Sequence, residues 1–62
     1  MQTINHWQVV TIENTTVQVV LGYLEDGRPV RTSAVQKLDL ERRQVSTRHS
    51  IYRLGEPAAP QQ

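Results

Sequence analysis

Sixty-two residues with seven Lys/Arg against six Asp/Glu give a formal net charge of +1, and 37% of the chain is hydrophobic, with no phenylalanine, one tryptophan and no cysteine. This length admits one domain with a thin core, because a domain of about 60 residues buries only about 60% of the surface its unfolded chain exposes. Disulfides and thiolate metal sites are excluded, His6 and His49 are not spaced as a ligand pair, and no segment approaches the roughly 20 apolar residues of a membrane helix.

Residues 1–5 read as a short lead-in, without the basic start and apolar run of a signal peptide, so a soluble protein of the cytoplasm is expected, with no membrane partner. Residues 6–13 (HWQVVTIE) are dense in β-branched and aromatic side chains and predict a strand. Trp7 is expected to be its largest core residue, with a dimer contact or a stacking platform as the other uses of a lone tryptophan. Asn14 and Thr15 supply turn chemistry. The run 16–24 (TVQVVLGYL) places Val17, Val19, Leu21 and Tyr23 on one face at period two. Val20, Gly22 and Leu24 make its other face partly apolar, which suits a central strand or one beneath a partner subunit. Gly22 marks a bulge or a close backbone approach.

Residues 25–28 (EDGR) carry a hairpin signal, since Asp26 and Gly27 readily adopt the positive φ angles of tight primed turns. Pro29 has no ladder N–H and predicts a strand start or an edge. Residues 33–43 (SAVQKLDLERR) read both ways. Ser33 with Gln36 resembles a capping box and Ala34, Val35 and Leu38 suit a helical face, whereas Gln36, Leu38 and Leu40 alternate with Lys37, Asp39 and Glu41 as a strand does. Strand is the favoured reading, with Glu41, Arg42, Arg43 and Gln44 as a turn and 44–48 returning as its partner. After a bend at His49 and Ser50, residues 51–54 (IYRL) make a last strand. The domain is expected to span 1–55, with a disordered tail over 56–62 (EPAAPQQ). Val30-x-Thr32 and Val45-x-Thr47 echo one another, as two similar strands rather than a duplication.

The fold expected is therefore all-β, a small five-stranded antiparallel meander or SH3-like barrel, with a short helix around 33–43 as the alternative there. Because the core is thin and neither disulfide nor metal supplements it, a homodimer or higher homo-oligomer is expected.

Charge is unevenly distributed. Residues 42–55 hold four arginines and no acid, whereas 1–41 hold five acids against Arg28, Arg31 and Lys37, so a +4 segment adjoins a −2 segment. Such asymmetry points to an acidic or anionic partner. Arginine forks suit carboxylate and phosphate, and the candidate binding residues are Arg42, Arg43, Arg48, His49, Tyr52 and Arg53. The competing reading is an ordinary solvated face in which Arg42 and Arg43 pair with Asp39 and Glu41. Catalysis is not expected. His49 and Ser50 are successive strand residues that point apart, and Asp39 with Glu41 is more simply the solvated face of a hairpin. No glycine-rich phosphate loop is present, and no metal or cofactor is expected. A nucleic-acid-binding small barrel is the alternative function, supported by Trp7, Tyr23 and Tyr52 but by a pI of only about 8.3.

Residues 30–55 (VRTSAVQKLDLERRQVSTRHSIYRLG) resemble a pattern found in short uncharacterised proteins of tailed bacteriophages and prophages. There a V-x-T-S-x-V strand, here Val30, Thr32, Ser33 and Val35, precedes a charged hairpin. A V-x-T strand follows, here Val45 and Thr47, and then a terminal Y-x-L-G, here Tyr52, Leu54 and Gly55. Where many of those proteins have a glycine in the final bend, this chain has His49 and Ser50. The resemblance implies a phage accessory protein acting in the cytoplasm of a bacterial host. It would bind and inhibit a host defence protein through an acidic surface, or sequester an anionic signalling molecule.

Overall fold

The β-branched residues Val9, Val10, Thr11, Val19 and Val20 lie in strands, whereas Thr15, Thr16 and Val17 lie in a loop. The computed structural model describes residues 1–58. Among them are six strands and no helix: β1 (Gln2–Thr11), β2 (Gln18–Leu24), β3 (Pro29–Arg31), β4 (Val35–Asp39), β5 (Gln44–Thr47) and β6 (Ile51–Leu54). They make one sheet in the order β3-β2-β1-β6-β5-β4. The all-β expectation holds, but the sheet has six strands rather than five and is mixed rather than antiparallel. β6 leaves β5 through a two-residue turn, so it must run antiparallel to β5. Its free edge then meets β1 in the parallel sense, with Gln2, Thr3 and Ile4 opposite Tyr52, Arg53 and Leu54.

The linker between β3 and β4 dictates the curvature. Five inter-strand steps of about 4.8 Å would hold these edge strands roughly 24 Å apart in a flat sheet. The four Cα steps from Arg31 to Val35 reach at most about 14 Å. The sheet therefore curls on itself and brings β4 against β2. Thr32 continues the β2/β3 ladder by donating its N–H to Val20 O, and Ala34 continues the β4/β5 ladder by accepting from Arg48 N. No ladder joins β3 to β4 among the described residues, so the curled sheet is not a closed barrel. Both edges are blunted: β3 begins at Pro29, and β4 carries a bulge and Lys37.

The helix alternative over 33–43 is not realised. An isolated helix of about eleven residues is marginal in water, while the open edge of β5 offers a ladder. In β4 the register shifts between Val35 and Lys37, which face Thr47 and Ser46. The extra residue puts Val35 and Leu38, three apart, on the same side of the sheet. That spacing is what made the segment look helical.

A second bulge shapes β1. Asn5 faces Tyr23 and Gln8 faces Leu21, so His6 and Trp7 together oppose Gly22. Ile4 and Val9 are an odd number of residues apart, yet the bulge returns them to one face, beside Trp7. They line the inside of the curl with Val20, Val45 and Leu54, and the fully buried residues Ile4, Val20, Val45 and Leu54 form the core. The inward face of β2 is thus Val20, Gly22 and Leu24, not the Val17, Val19, Leu21 and Tyr23 face that alternates most cleanly in the sequence. Val17 and Tyr23 are exposed, although Val19 is buried. Gly22 is required by space: a Cβ there would lie 2.5 Å from Ile4 Cγ2 and 2.8 Å from Asn5 O.

Backbone and side-chain hydrogen bonds both shape the turns. At 24–28, Gly27 (φ 89°) is the only residue with positive φ, and Gly27 N donates to Leu24 O while Leu24 N donates to Arg28 O. This is a three-residue loop closed by a glycine bulge rather than a primed two-residue turn. Asn14 takes φ 65° in the 12–17 loop. In the β5/β6 turn, Thr47 N donates to Ser50 O, and Thr47 Oγ1 accepts from Ser50 N in place of a backbone carbonyl. No residue of that turn needs positive φ, so His49 and Ser50 serve without a glycine.

The four residues 59–62 of the expected tail lie outside the described residues. Residues 56–58 run beside β1. Glu56 O accepts from His6 N at 2.6 Å, Ala58 N donates to Trp7 O at 2.9 Å, and Trp7 Nε1 donates to Gly55 O at 3.0 Å. Trp7, expected as the largest core residue, is only half-buried and packs against the core of Ile4, Val20, Val45 and Leu54.

Candidate functional site

The arginine-rich segment spans two ends of the sheet. Arg42 and Arg43 occupy the β4/β5 turn, whereas Arg48 and His49 form the β5/β6 turn at the opposite end of β5. At about 3.3 Å per residue, roughly 16 Å separates Arg43 from Arg48 along the strand. Arg53 lies between them on the outer side of β6, opposite Gln44 on one flank and Thr3 on the other. Tyr52 points the other way, half-buried against the core opposite Val45. The six residues therefore do not form one cluster; Arg48 with His49, Arg53, and Arg42 with Arg43 are three separate basic points.

Their electrostatic surroundings differ. Asp39 Oδ1 accepts from Arg42 N at 3.1 Å and Oδ2 lies 3.9 Å from Arg42 Nε, a loose pair in which the arginine is 80% exposed. Glu41 makes no ion pair among the described residues. Arg43 takes φ 54° and borders a small cavity of about 170 Å³ with Trp7, Leu40 and Pro57. Arg48, His49 and Arg53 are exposed, and neither arginine has an acidic partner among the described residues. At the β2/β3 hairpin, Asp26 accepts from Arg28 N at 3.0 Å and from Arg28 Nε at 2.6 Å. That backbone N–H first, and then the guanidinium, hold the Asp26 carboxyl below the usual carboxylate range. No group of three potential metal ligands occurs among the described residues, and no helix is long and apolar enough to cross a membrane.

A larger concavity lies elsewhere. On the outer side of β1, β2 and β3, an open groove of about 440 Å³ is lined by His6, Gln8, Leu21, Tyr23, Pro29 and Arg31 with the backbone at Gly22 and Val30. Strand register explains the assembly: Tyr23 faces Asn5 and Pro29, and Leu21 faces Gln8 and Arg31, so these residues share one side. The bulge adds His6, which has φ 52° and meets Tyr23 edge-on with ring centroids 6.5 Å apart. Sequence reasoning missed this groove because both faces of 16–24 read as apolar, and only the register shows that the Leu21 and Tyr23 side turns outward. The usable signal was Pro29-x-Arg31 beside Leu21-x-Tyr23, two alternating pairs across a hairpin.

No family model matches the chain, and no curated protein or solved structure is significantly similar to it.

Proposed function

We propose that the chain is a non-catalytic binding protein whose exposed arginines engage an acidic partner. One observation carries this reading. Of the seven Lys and Arg, Arg28 and Arg42 pair with carboxylates, while Arg31, Lys37, Arg43, Arg48 and Arg53 are exposed with no acidic partner among the described residues. A guanidinium not engaged by its own chain keeps its fork of donors for a carboxylate or phosphate presented from outside. Spread over a curled sheet, such charges also steer an acidic surface toward contact. Arg48 with His49 at the β5/β6 turn, and Arg53 on the outer side of β6, are two of the points of this surface.

The resemblance to phage and prophage accessory proteins gives the proposal its most concrete form: an inhibitor of a host defence protein, acting in the bacterial cytoplasm. Capture of a small anionic signalling molecule on these residues would instead need an enclosed pocket between subunits, and so a homo-oligomer. Native mass spectrometry of the protein purified gently from a bacterial host tests these forms together. Added mass of protein size, lost in the Arg48→Ala/Arg53→Ala variant, supports the inhibitor. Added mass of small-molecule size on an oligomer supports sequestration. Partner retention unchanged by the double substitution removes the arginine surface from the explanation. Both side chains are exposed, so the variant is expected to fold.

A further inference from the structure

We propose that the outer groove of β1, β2 and β3 is a second binding site, which takes a phosphorylated planar base, that is, a nucleotide unit. The inference goes beyond the arginine surface and uses none of residues 42–53. It starts from the backbone. A histidine with positive φ is uncommon, and such residues concentrate where surrounding structure holds a side chain in place for use. Here the bulge opposite Gly22 holds His6, and His6 N is tied to Glu56 O at 2.6 Å. Bulges re-aim side chains, and this one brings the His6 ring to the exposed Tyr23, which retains 48% of its surface.

The lining chemistry specifies the ligand. Leu21 and Tyr23 give an apolar and aromatic floor, and His6 and Pro29 stand on either side of Tyr23, an arrangement onto which a flat ring stacks. Gln8, two strands away from Arg31 across Leu21, offers a carboxamide with one acceptor and two donors, the complement of a base edge. Arg31 has no acidic partner among the described residues, and no acid lines the groove, so an anionic group is favoured at that end. A neutral sugar would leave the guanidinium unused, and an aliphatic ligand would leave Gln8 and Arg31 unpaired. About 440 Å³ falls in the range of small-molecule sites and suits one nucleotide unit rather than a folded partner.

The source of the unit, a free nucleotide or a single strand, is separable by experiment. Amide chemical shifts of the isotope-labelled full chain are followed during titration with AMP, GMP, CMP and UMP, with adenosine, with inorganic phosphate, and with six-residue single strands. The expected result is saturable shifts centred on residues 6, 8, 21, 23 and 31 for at least one mononucleotide, with nucleoside and phosphate each at least tenfold weaker. Tyr23→Ala and Arg31→Ala are each expected to weaken binding at least tenfold. His6→Gly, which removes the ring at a backbone angle glycine accepts, weakens it while the spectrum remains dispersed. A strand that binds more tightly than its mononucleotide assigns the site to single strands; equal or weaker strand binding assigns it to free nucleotides. The proposal is overturned if no mononucleotide or strand gives saturable shifts, or if phosphate alone reproduces them. It is equally overturned if the shifts centre on 42–53, or if the three variants bind as the parent does.

Discussion

Thr32 and Thr47 show how single side chains hold this small sheet together. Both are buried, and both use a hydroxyl in place of a backbone group: Thr32 Oγ1 accepts from Val20 N and donates to Ser33 O, while Thr47 Oγ1 bridges Ser50 O and Ser50 N. Thr32→Val keeps the shape but leaves the buried Val20 N–H without that partner, a loss of about 1–3 kcal/mol. Urea denaturation measures it, and an unchanged midpoint would show that the bond contributes nothing. The V-x-T echo was visible in the sequence, but its meaning was not, because a threonine's partner depends on which strand edge it reaches. Asp26 is the titratable counterpart. Its folded pKa lies below the ordinary value of an aspartate, so its contribution is fully present above that value and is lost as pH falls through the folded pKa. The stability difference between the parent and Asp26→Asn should therefore be greatest near neutrality and shrink below about pH 3.8. A difference constant across acid pH would contradict this. His6→Gly belongs to the same scale: glycine accepts φ 52° without strain, so the variant should match the parent or gain up to about 1 kcal/mol, read from its thermal midpoint.

At the scale of elements, the two bulges decide what was legible. Strand existence was readable from β-branched density, and β6 (Ile51–Leu54) sits where the sequence put it. Facing was not readable, because one extra residue in β1 and one in β4 reverse the parity of everything beyond them. The β4 bulge turned a strand into an apparent helical stripe, and the β1 bulge moved His6 into the outer groove. The sequence singled out the arginines of the turns because charge can be counted without knowing register; the groove depends on register and stayed hidden. Gly22 was the one local clue, and it is the clearest test of the bulge. Gly22→Ala places a methyl against Asn5 O and Ile4, and an overpacking loss of about 1–3 kcal/mol is expected. A neutral result in chemical denaturation would mean that the β1 bulge shifts freely.

For the molecule as a whole, the strand order describes two sequence-local meanders, β1-β2-β3 and β4-β5-β6. They join along the parallel β1/β6 seam and through residues 32–34. The seam was not legible, since nothing local in residues 2–4 or 52–54 marks them as partners. The core is divided evenly, with Ile4 and Val20 from one meander and Val45 and Leu54 from the other. So small a core is the reason self-association was expected. If subunits share apolar surface, the melting midpoint should rise with protein concentration; a concentration-independent midpoint would favour a monomer.

The divided core also has a consequence for the chain as it leaves the ribosome. The first meander emerges with Ile4 and Val20 uncovered and the edge of β1 open, so nothing can lock until the last strand arrives. A polypeptide ending at Ser33 and another starting at Ala34 should each be unstructured alone and assemble when mixed. The protein would then act as a pair of complementing fragments, whose reunion reports that two fused partners have met.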